Sequence, residues 1–62
     1  MYEFVKIESI NAGTTFINMD YIMAIGMPKD DGIVIIKLRN NQNINVEKEK
    51  FNSTPQFKGW FD

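Results

Sequence analysis

The chain has 62 residues, of which 44% are hydrophobic and 24% charged, and its seven basic and eight acidic residues give a net charge of −1 at pH 7. This length accommodates one small domain, and a domain of that size hides only about 60% of the surface that its unfolded chain exposes. Cysteine and histidine are both absent, which excludes disulfides, the commonest zinc ligands and the usual nucleophile–base pairs of enzymes.

A first strand is predicted over residues 2–9, where Val5 and Ile7 alternate with polar residues and mark the face toward the core. Asn11, Ala12 and Gly13 then supply residues that tolerate the positive φ of a hairpin loop. Residues 14–17 resume in β-favouring types. We therefore expect a second strand that runs antiparallel to the first.

The next segment allows two interpretations. Met19, Met23 and Met27 share a four-residue spacing, so a helix over residues 19–27 would collect them in one stripe for a core or a dimer seam. That segment is short, however, and it ends at Gly26 and Pro28, where an isolated helix is marginal. We favour a single tight turn followed by a third strand over residues 21–27.

The side chain of Asn18 or Asp20 is the expected cap of that tight turn, because a short polar side chain accepts a hydrogen bond from an amide two or three residues ahead. Strict alternation along the third strand would divide its residues into two apolar faces. One face would hold Tyr21, Met23, Ile25 and Met27, and the other Ile22 and Ala24.

A fourth strand over residues 32–39 is the most strongly predicted element. It follows a turn over residues 29–32 in which Gly32 is expected to adopt a positive φ. Its alternation assigns one face to the core, with Val34, Ile36 and Leu38. The opposite face carries Ile33 and Ile35 beside Lys37 and Arg39, and these two isoleucines need cover from elsewhere in the chain or from another chain.

Asn40 and Asn41 are predicted to form a type I′ turn, since asparagine tolerates the left-handed region at both central positions. A fifth strand follows over residues 42–47 with Ile44 and Val46 inward. The predicted fold is therefore all-β: a five-stranded antiparallel meander curled into a small barrel or sheet, with an aromatic C-terminal tail.

The composition changes near residue 50. We therefore divide the chain into a small β domain over residues 1–50 and an aromatic tail over residues 51–62. The charged run at residues 47–50 is expected to be a solvated segment, with a helical turn as the alternative. Phe57, Trp60 and Phe61 make the tail rich in aromatics, unlike a disordered tail. We expect it to pack on the Ile33 and Ile35 face of its own sheet or on a partner.

Residues that could carry chemistry are few. Asp30 and Asp31 precede a glycine in a context typical of a turn, and the four glycines are isolated rather than grouped in a phosphate-binding loop. We therefore predict no catalytic, cofactor-binding or metal-binding residues, no cofactor and no small-molecule substrate.

In one segment Phe16 and Ile17 precede Asn18-Met19-Asp20 and further apolar residues, and in a later segment a strand, the turn at Asn40-Asn41 and another strand follow one another. These two segments resemble the FlbD or SwrD-type small bacterial flagellar accessory proteins. The similarity covers roughly residues 14–50. Met19 stands where the family has proline and Asn41 where it has glycine. The resemblance implies a noncatalytic accessory protein and supplies no functional residues, and other small phage and Gram-positive β proteins look similar.

The sequence predicts a non-enzymatic accessory or regulatory protein that acts by protein–protein binding. A chain this small without disulfides or metal ligands is stabilised by association, so we expect a homodimer or higher oligomer. Tryptophan and phenylalanine are enriched among binding hot spots. The predicted partner-binding residues are Phe57, Trp60, Phe61, Ile33 and Ile35.

The alternative is a small β-barrel that binds single-stranded nucleic acid through Lys37 and Arg39, with Tyr2, Phe4 and Lys6 nearby. The net charge of −1 argues against it, because nonspecific binding to nucleic acid needs a positive surface. Charged residues interrupt the N-terminal segment, and no apolar run approaches the roughly 18 residues of a membrane span. We expect a cytoplasmic protein without a membrane span.

Overall fold

A computed structural model of the chain describes residues 3–61. Within this part of the chain, five strands precede one short α-helix, and single 3₁₀ turns lie at Met19–Tyr21 and Pro55–Phe57. The elements are β1 (Phe4–Ser9), β2 (Gly13–Asn18), β3 (Ile22–Gly26), β4 (Ile33–Leu38), β5 (Asn43–Glu47) and α1 (Lys48–Ser53). The prediction of five antiparallel strands is confirmed.

The strands form two sheets rather than one. β1 pairs with β2, and β3, β4 and β5 pair in that order, all antiparallel. The sheets divide at the 3₁₀ turn after β2, where the Asn18 side chain accepts a hydrogen bond from the amide of Asp20 at 2.9 Å. This is the tight turn expected from the sequence, and the alternative helix over residues 19–27 is wrong. Residues 3–61 contain no closed barrel.

A β-bulge in β3 changes the predicted faces of that strand. The register with β4 shifts between Ile22 and Ala24, so that Met23 is the extra residue. Ile22 and Ile25 consequently pack against the core, whereas Met23 and Ala24 are exposed. The prediction of strict alternation, with Met23 and Ile25 on one face, is therefore wrong.

The turns on either side of β4 use residues in the left-handed region. Gly32 has φ +80°, as predicted. Asn41 has φ +67° and donates its amide to Leu38 O at 3.1 Å, while Leu38 donates its amide to Gln42 O at 2.9 Å. These bonds define a three-residue hairpin loop that ends in a left-handed residue. The type I′ prediction is wrong, because Asn41 alone of the two asparagines has a positive φ.

The side chain of Asn11 joins the two sheets. Its Nδ2 donates to the carbonyl of Asn43 at 3.0 Å, and its Oδ1 accepts from the amide of Asn45 at 2.9 Å. The amide of Ile10 adds a bond to the carbonyl of Asn45 at 2.7 Å. The Asn11 amide therefore occupies the edge of β5 in the way that the peptide group of a neighbouring strand would.

One hydrophobic core lies between the sheets and α1. The charged run opens α1, with Glu49 and Lys50 exposed and Phe51 turned inward. Phe57 is 0% exposed and stacks on Phe51, with ring centroids 4.5 Å apart and planes 2° from parallel. The buried hydrophobic residues are Val5, Ile7, Ile17, Val34, Ile36, Leu38, Ile44, Val46, Phe51 and Phe57. Of the five strands, β3 alone contributes no residue to this buried set, although Ile22 and Ile25 pack partly against it.

Candidate interaction surface

The large exposed apolar side chains fall mainly into two groups. Tyr21, Met23 and Trp60 surround β3, with Met23 52% and Trp60 55% exposed. Phe4 and Phe16 lie together on the outer face of the β1–β2 hairpin. Most of the apolar surface that could contact another molecule is therefore near β3 or on that hairpin.

A shallow apolar groove of about 300 Å³ runs beside β3. Ile22 and Ile25 face the core and Met23 and Ala24 face outward, yet all four line this groove. A groove bounded by both faces of a strand must lie along its edge. We call it the β3 groove, and its lining residues are Met19, Ile22, Met23, Ala24, Ile25 and Trp60.

The β3 groove borders a strand edge without a neighbour among residues 3–61, because β3 pairs with β4 on its other side. The amide of Leu38 donates to the carbonyl of Gln42, so the backbone groups of Leu38 face β5. Alternate residues of a strand face the same neighbour, and Ile36 therefore faces β5 as well. Ile25 is the partner of Ile36 in the register. Its own N–H and C=O therefore point away from β4, toward the free edge.

Charged residues, proline and an inward-pointing charge commonly protect such an edge from pairing. β3 itself, with the sequence Ile-Met-Ala-Ile-Gly, contains none of these. The bulge at Met23 interrupts the first half of the strand and leaves Ala24, Ile25 and Gly26 regularly paired with β4. This regular half is available for a further strand.

Trp60 is held in place by the aromatic residues beneath it. Its ring packs edge-on against Phe57 at a centroid distance of 5.4 Å and an angle of 71°, and against Phe51 at 6.2 Å and 70°. Its amide donates to the carbonyl of Phe57 at 3.2 Å. One part of the indole is thus fixed on the core, while the remainder is exposed beside the groove, in the arrangement typical of an aromatic binding anchor.

The structure brings three of the predicted partner-binding residues together and places the other two elsewhere. Trp60 and Phe61 both contact Phe51, and Phe61 is half-buried. Phe57 lies in the core, where it is inaccessible to a partner of the folded chain. Ile33 and Ile35 are half-buried and line a separate shallow groove of about 200 Å³.

The C-terminal segment therefore packs on the other face of β4 from the one that we expected. Phe51 and Phe57 share the core with Val34 and Ile36, which point in the opposite direction from Ile33 and Ile35. The cover of these two isoleucines is partial, and the groove that they line also contains Pro28, Lys29, Asp31 and Asn45.

Met23 and its neighbours were not among the predicted site residues. The sequence contained a signal for them, because methionines recur in this segment and apolar residues occupy both faces of the third strand. What identifies the site is the bulge together with the missing neighbour on one side of β3, and neither feature is visible in the sequence.

The acidic residues of the described part of the chain do not gather into a metal site. No group of three or more acidic side chains among residues 3–61 is placed to hold a metal ion. Asp31 accepts a hydrogen bond from the amide of Ile33 at 3.1 Å, which is the local bond of a turn. In the same part of the chain, the helices are all too short or too polar to cross a membrane.

Comparison with known proteins adds no relatives to this description. No protein-family model matches the chain, and neither a curated protein nor a solved structure is significantly similar to it.

Proposed function

We propose that the chain is a noncatalytic accessory or regulatory protein that acts by protein–protein binding and associates with itself through β3. The observation that supports this proposal is the free, uncharged edge of β3 beside a groove lined by Met23 and Trp60. Addition of a strand to an exposed sheet edge is a recurring mode of protein recognition, in which main-chain hydrogen bonds give affinity. Apolar side chains beside the edge give specificity.

The composition is consistent with a binding role. Without cysteine or histidine, the chain lacks the residues of the usual nucleophile–base pairs. The resemblance of residues 14–50 to small flagellar accessory proteins points in the same direction. Ile33 and Ile35, in their own groove, are a further place for a partner, and Trp60 and Phe61 are the aromatic contacts that we retain from the predicted set.

The finer architecture that we propose is a small, open barrel made of the two sheets. Its support is the single core that both sheets enclose and the bonds from Ile10 and Asn11 to β5. In such a barrel β2 and β3 border the opening, since the 3₁₀ turn replaces strand pairing between them. The β3 groove would then be the site at which another strand continues the sheet.

Sedimentation equilibrium of the wild-type chain and two variants tests the proposed function. We expect the wild type to form dimers at raised concentration and Met23→Lys to remain monomeric, because a charge beside the groove opposes strand addition. Phe16→Lys is the matched control, since Phe16 is 65% exposed on the other sheet. A monomeric wild type, or a Phe16→Lys variant that dissociates as readily as Met23→Lys, would contradict the proposal.

Folding of these variants is not expected to depend on association. The chain of 7.2 kDa exposes 4342 Å², close to the roughly 4,100 Å² of a folded monomer of that mass. A monomeric variant should therefore keep the circular dichroism spectrum of the wild type.

A second candidate function is the binding of single-stranded nucleic acid on the outer face of the hairpin. Lys6 is directly opposite Phe16 and two residues from Phe4 on the same face of β1, so that Phe4 is diagonal to Phe16. Lys6 also lines a groove with Lys50 and Glu8. Exposed aromatic rings beside cations form stacking platforms for bases. Lys37, in contrast, lies in the other sheet, and Tyr2 lies outside the described residues.

Fluorescence anisotropy with a labelled single-stranded oligonucleotide at low salt tests this second candidate. Phe16→Ala should weaken binding about tenfold, as expected for the loss of one stacked base, and Met23→Ala should leave it unchanged. Absence of binding by the wild type would eliminate the candidate.

A further inference from the structure

We infer that the occupant of the β3 groove is a second copy of this chain, whose β3 pairs antiparallel with β3 about a two-fold axis through Ile25. This inference rests on the proposed function, and it adds the partner's orientation and register. A two-fold axis makes the same surface contact itself. The residue on the axis must then pair with its own counterpart, Ile25 with the partner's Ile25.

The backbone of Ile25 satisfies the requirement of that position. Its N–H and C=O both point toward the free edge, so each copy can donate one hydrogen bond to the other and accept one in return. A shift of the axis toward Ala24 would carry the new ladder across the bulge at Met23. A shift toward Gly26 would centre the new ladder on the last residue of β3, so that half of the ladder would lie beyond the end of the strand.

The charges at the two ends of β3 favour the antiparallel orientation. Near the first end, Arg39 donates its side-chain Nε to the carbonyl of Asp20 at 2.8 Å and its amide to the carbonyl of Tyr21 at 3.0 Å. The turn at residues 29–31 beyond the other end contains two aspartates and one lysine and carries one net negative charge. Antiparallel pairing places Arg39 of each copy beside the acidic turn of the other.

The apolar side chains are compatible with the same arrangement. With the axis at Ile25, the exposed Met23 lies beside the end of the partner's β3, where its flexible side chain can adapt to an irregular surface. Trp60 lines the groove that the partner's strand enters, so each copy supplies an aromatic contact to the other. Because β3 has no charged residue, two copies of it can pair without burying a charge between them.

Cysteine cross-linking tests the register, because the chain has no cysteine of its own. The inferred axis places Ala24 directly opposite the partner's Gly26 in a pair that is not hydrogen-bonded, where Cα atoms lie about 4.5 Å apart. Two copies of Ala24 would be diagonal neighbours about 7–8 Å apart, beyond the reach of a disulfide. Both sites accept the change, because Ala24 is exposed and a Cβ at Gly26 meets no atom within 4 Å.

We expect an oxidised equal mixture of Ala24→Cys and Gly26→Cys, one of them carrying an affinity tag, to give mainly the mixed disulfide. Each variant alone should stay largely reduced. Phe16→Cys mixed with Gly26→Cys is the control for random collision. Equal cross-linking in all mixtures, or stronger cross-linking of Ala24→Cys with itself, would overturn the register.

Amide hydrogen exchange of the wild type gives a second measurement that needs no variant. The Ile25 amide should exchange more slowly as concentration rises through the range of dimer formation, while the Ala24 amide, which faces β4, should not change. Dimers without this protection of Ile25 and without the mixed disulfide would refute the inferred register and leave the proposed self-association intact. A wild type that stays monomeric would refute both.

Discussion

Replacement of Phe57 by alanine should remove a large part of the stability of the fold. Phe57 is fully buried and stacks on Phe51 at 4.5 Å. Phe16→Ala is the matched control, because it makes the same chemical change at a ring that is mostly exposed on the hairpin. The comparison asks whether the C-terminal segment is part of the core.

The expected magnitudes differ enough to be measured. Truncating a buried phenylalanine to alanine costs about 3–5 kcal/mol. About one third of the Phe16 ring is covered, and roughly 25 cal/mol per Å² of buried apolar area gives a cost of about 1–2 kcal/mol there. A chain of this length has a total stability of about 3–9 kcal/mol at about 0.05–0.15 kcal/mol per residue. Phe57→Ala should therefore lose about half or more of the stability of the fold, and at the low end of this range it would be unfolded.

Urea titration followed by far-ultraviolet circular dichroism provides the free energy of unfolding of each variant. Trp60 is the single tryptophan, and its fluorescence reports separately on the packing of the C-terminal segment in the wild type and in Phe16→Ala. If Phe57→Ala loses no more stability than Phe16→Ala, the C-terminal segment does not contribute to the core as the packing implies. Because Phe51 and Phe57 belong to the core, deletion of the C-terminal segment should unfold the chain. The role of this segment in binding is therefore better tested by single substitutions of its exposed residues.

Three further predictions concern individual residues, each measured by the same urea titration. Asn11→Ala removes both side-chain bonds to β5 and leaves backbone groups without partners, which should cost about 2–3 kcal/mol; a loss below about 1 kcal/mol would count against its role in joining the sheets. Gly32→Ala should cost about 1–2 kcal/mol, because Gly32 has a φ of +80°. Gly26→Ala should be neutral or stabilising, because an added Cβ there meets open space. Equal effects of the two substitutions would contradict the left-handed conformation of Gly32. Asn18→Ala should cost about 1 kcal/mol through loss of the cap to the 3₁₀ turn, and an unchanged stability would show that the cap is not needed.

Strict alternation in the sequence was enough to predict the core of β1 and β5. Val5, Ile7, Ile44 and Val46 all lie where the pattern placed them, because a polar residue between two apolar ones determines which face is buried. The turn at Gly32 was predictable for a similar reason, since glycine adopts a positive φ at little cost.

The structure of β3 was less predictable because nearly all of its residues are apolar. When both faces of a strand are apolar, the pattern does not favour one register over another. The bulge at Met23 therefore left no trace in the alternation, and neither did the missing neighbour on one side. Consequently the candidate site could be predicted only as a segment rich in methionine, without its groove.

The packing of the C-terminal segment depends on contacts between residues distant in sequence. The sequence showed that its aromatic residues must be covered, but spacing alone does not reveal which face of a sheet covers them. The structure buries Phe57 and leaves Trp60 half-exposed. Composition therefore identified Trp60 as a candidate contact and could not distinguish it from Phe57.

The position of Asn11 has a practical consequence for engineering the chain. Hairpin loops usually tolerate insertions, so the β1–β2 loop would be an obvious place for a tag or a label. Here an added residue would displace an amide that bonds to β5 on the other sheet. The turn at residues 28–31 makes mainly local bonds and is the better insertion point. The β1–β2 loop should keep its length, because its Asn11 side chain holds the two sheets together.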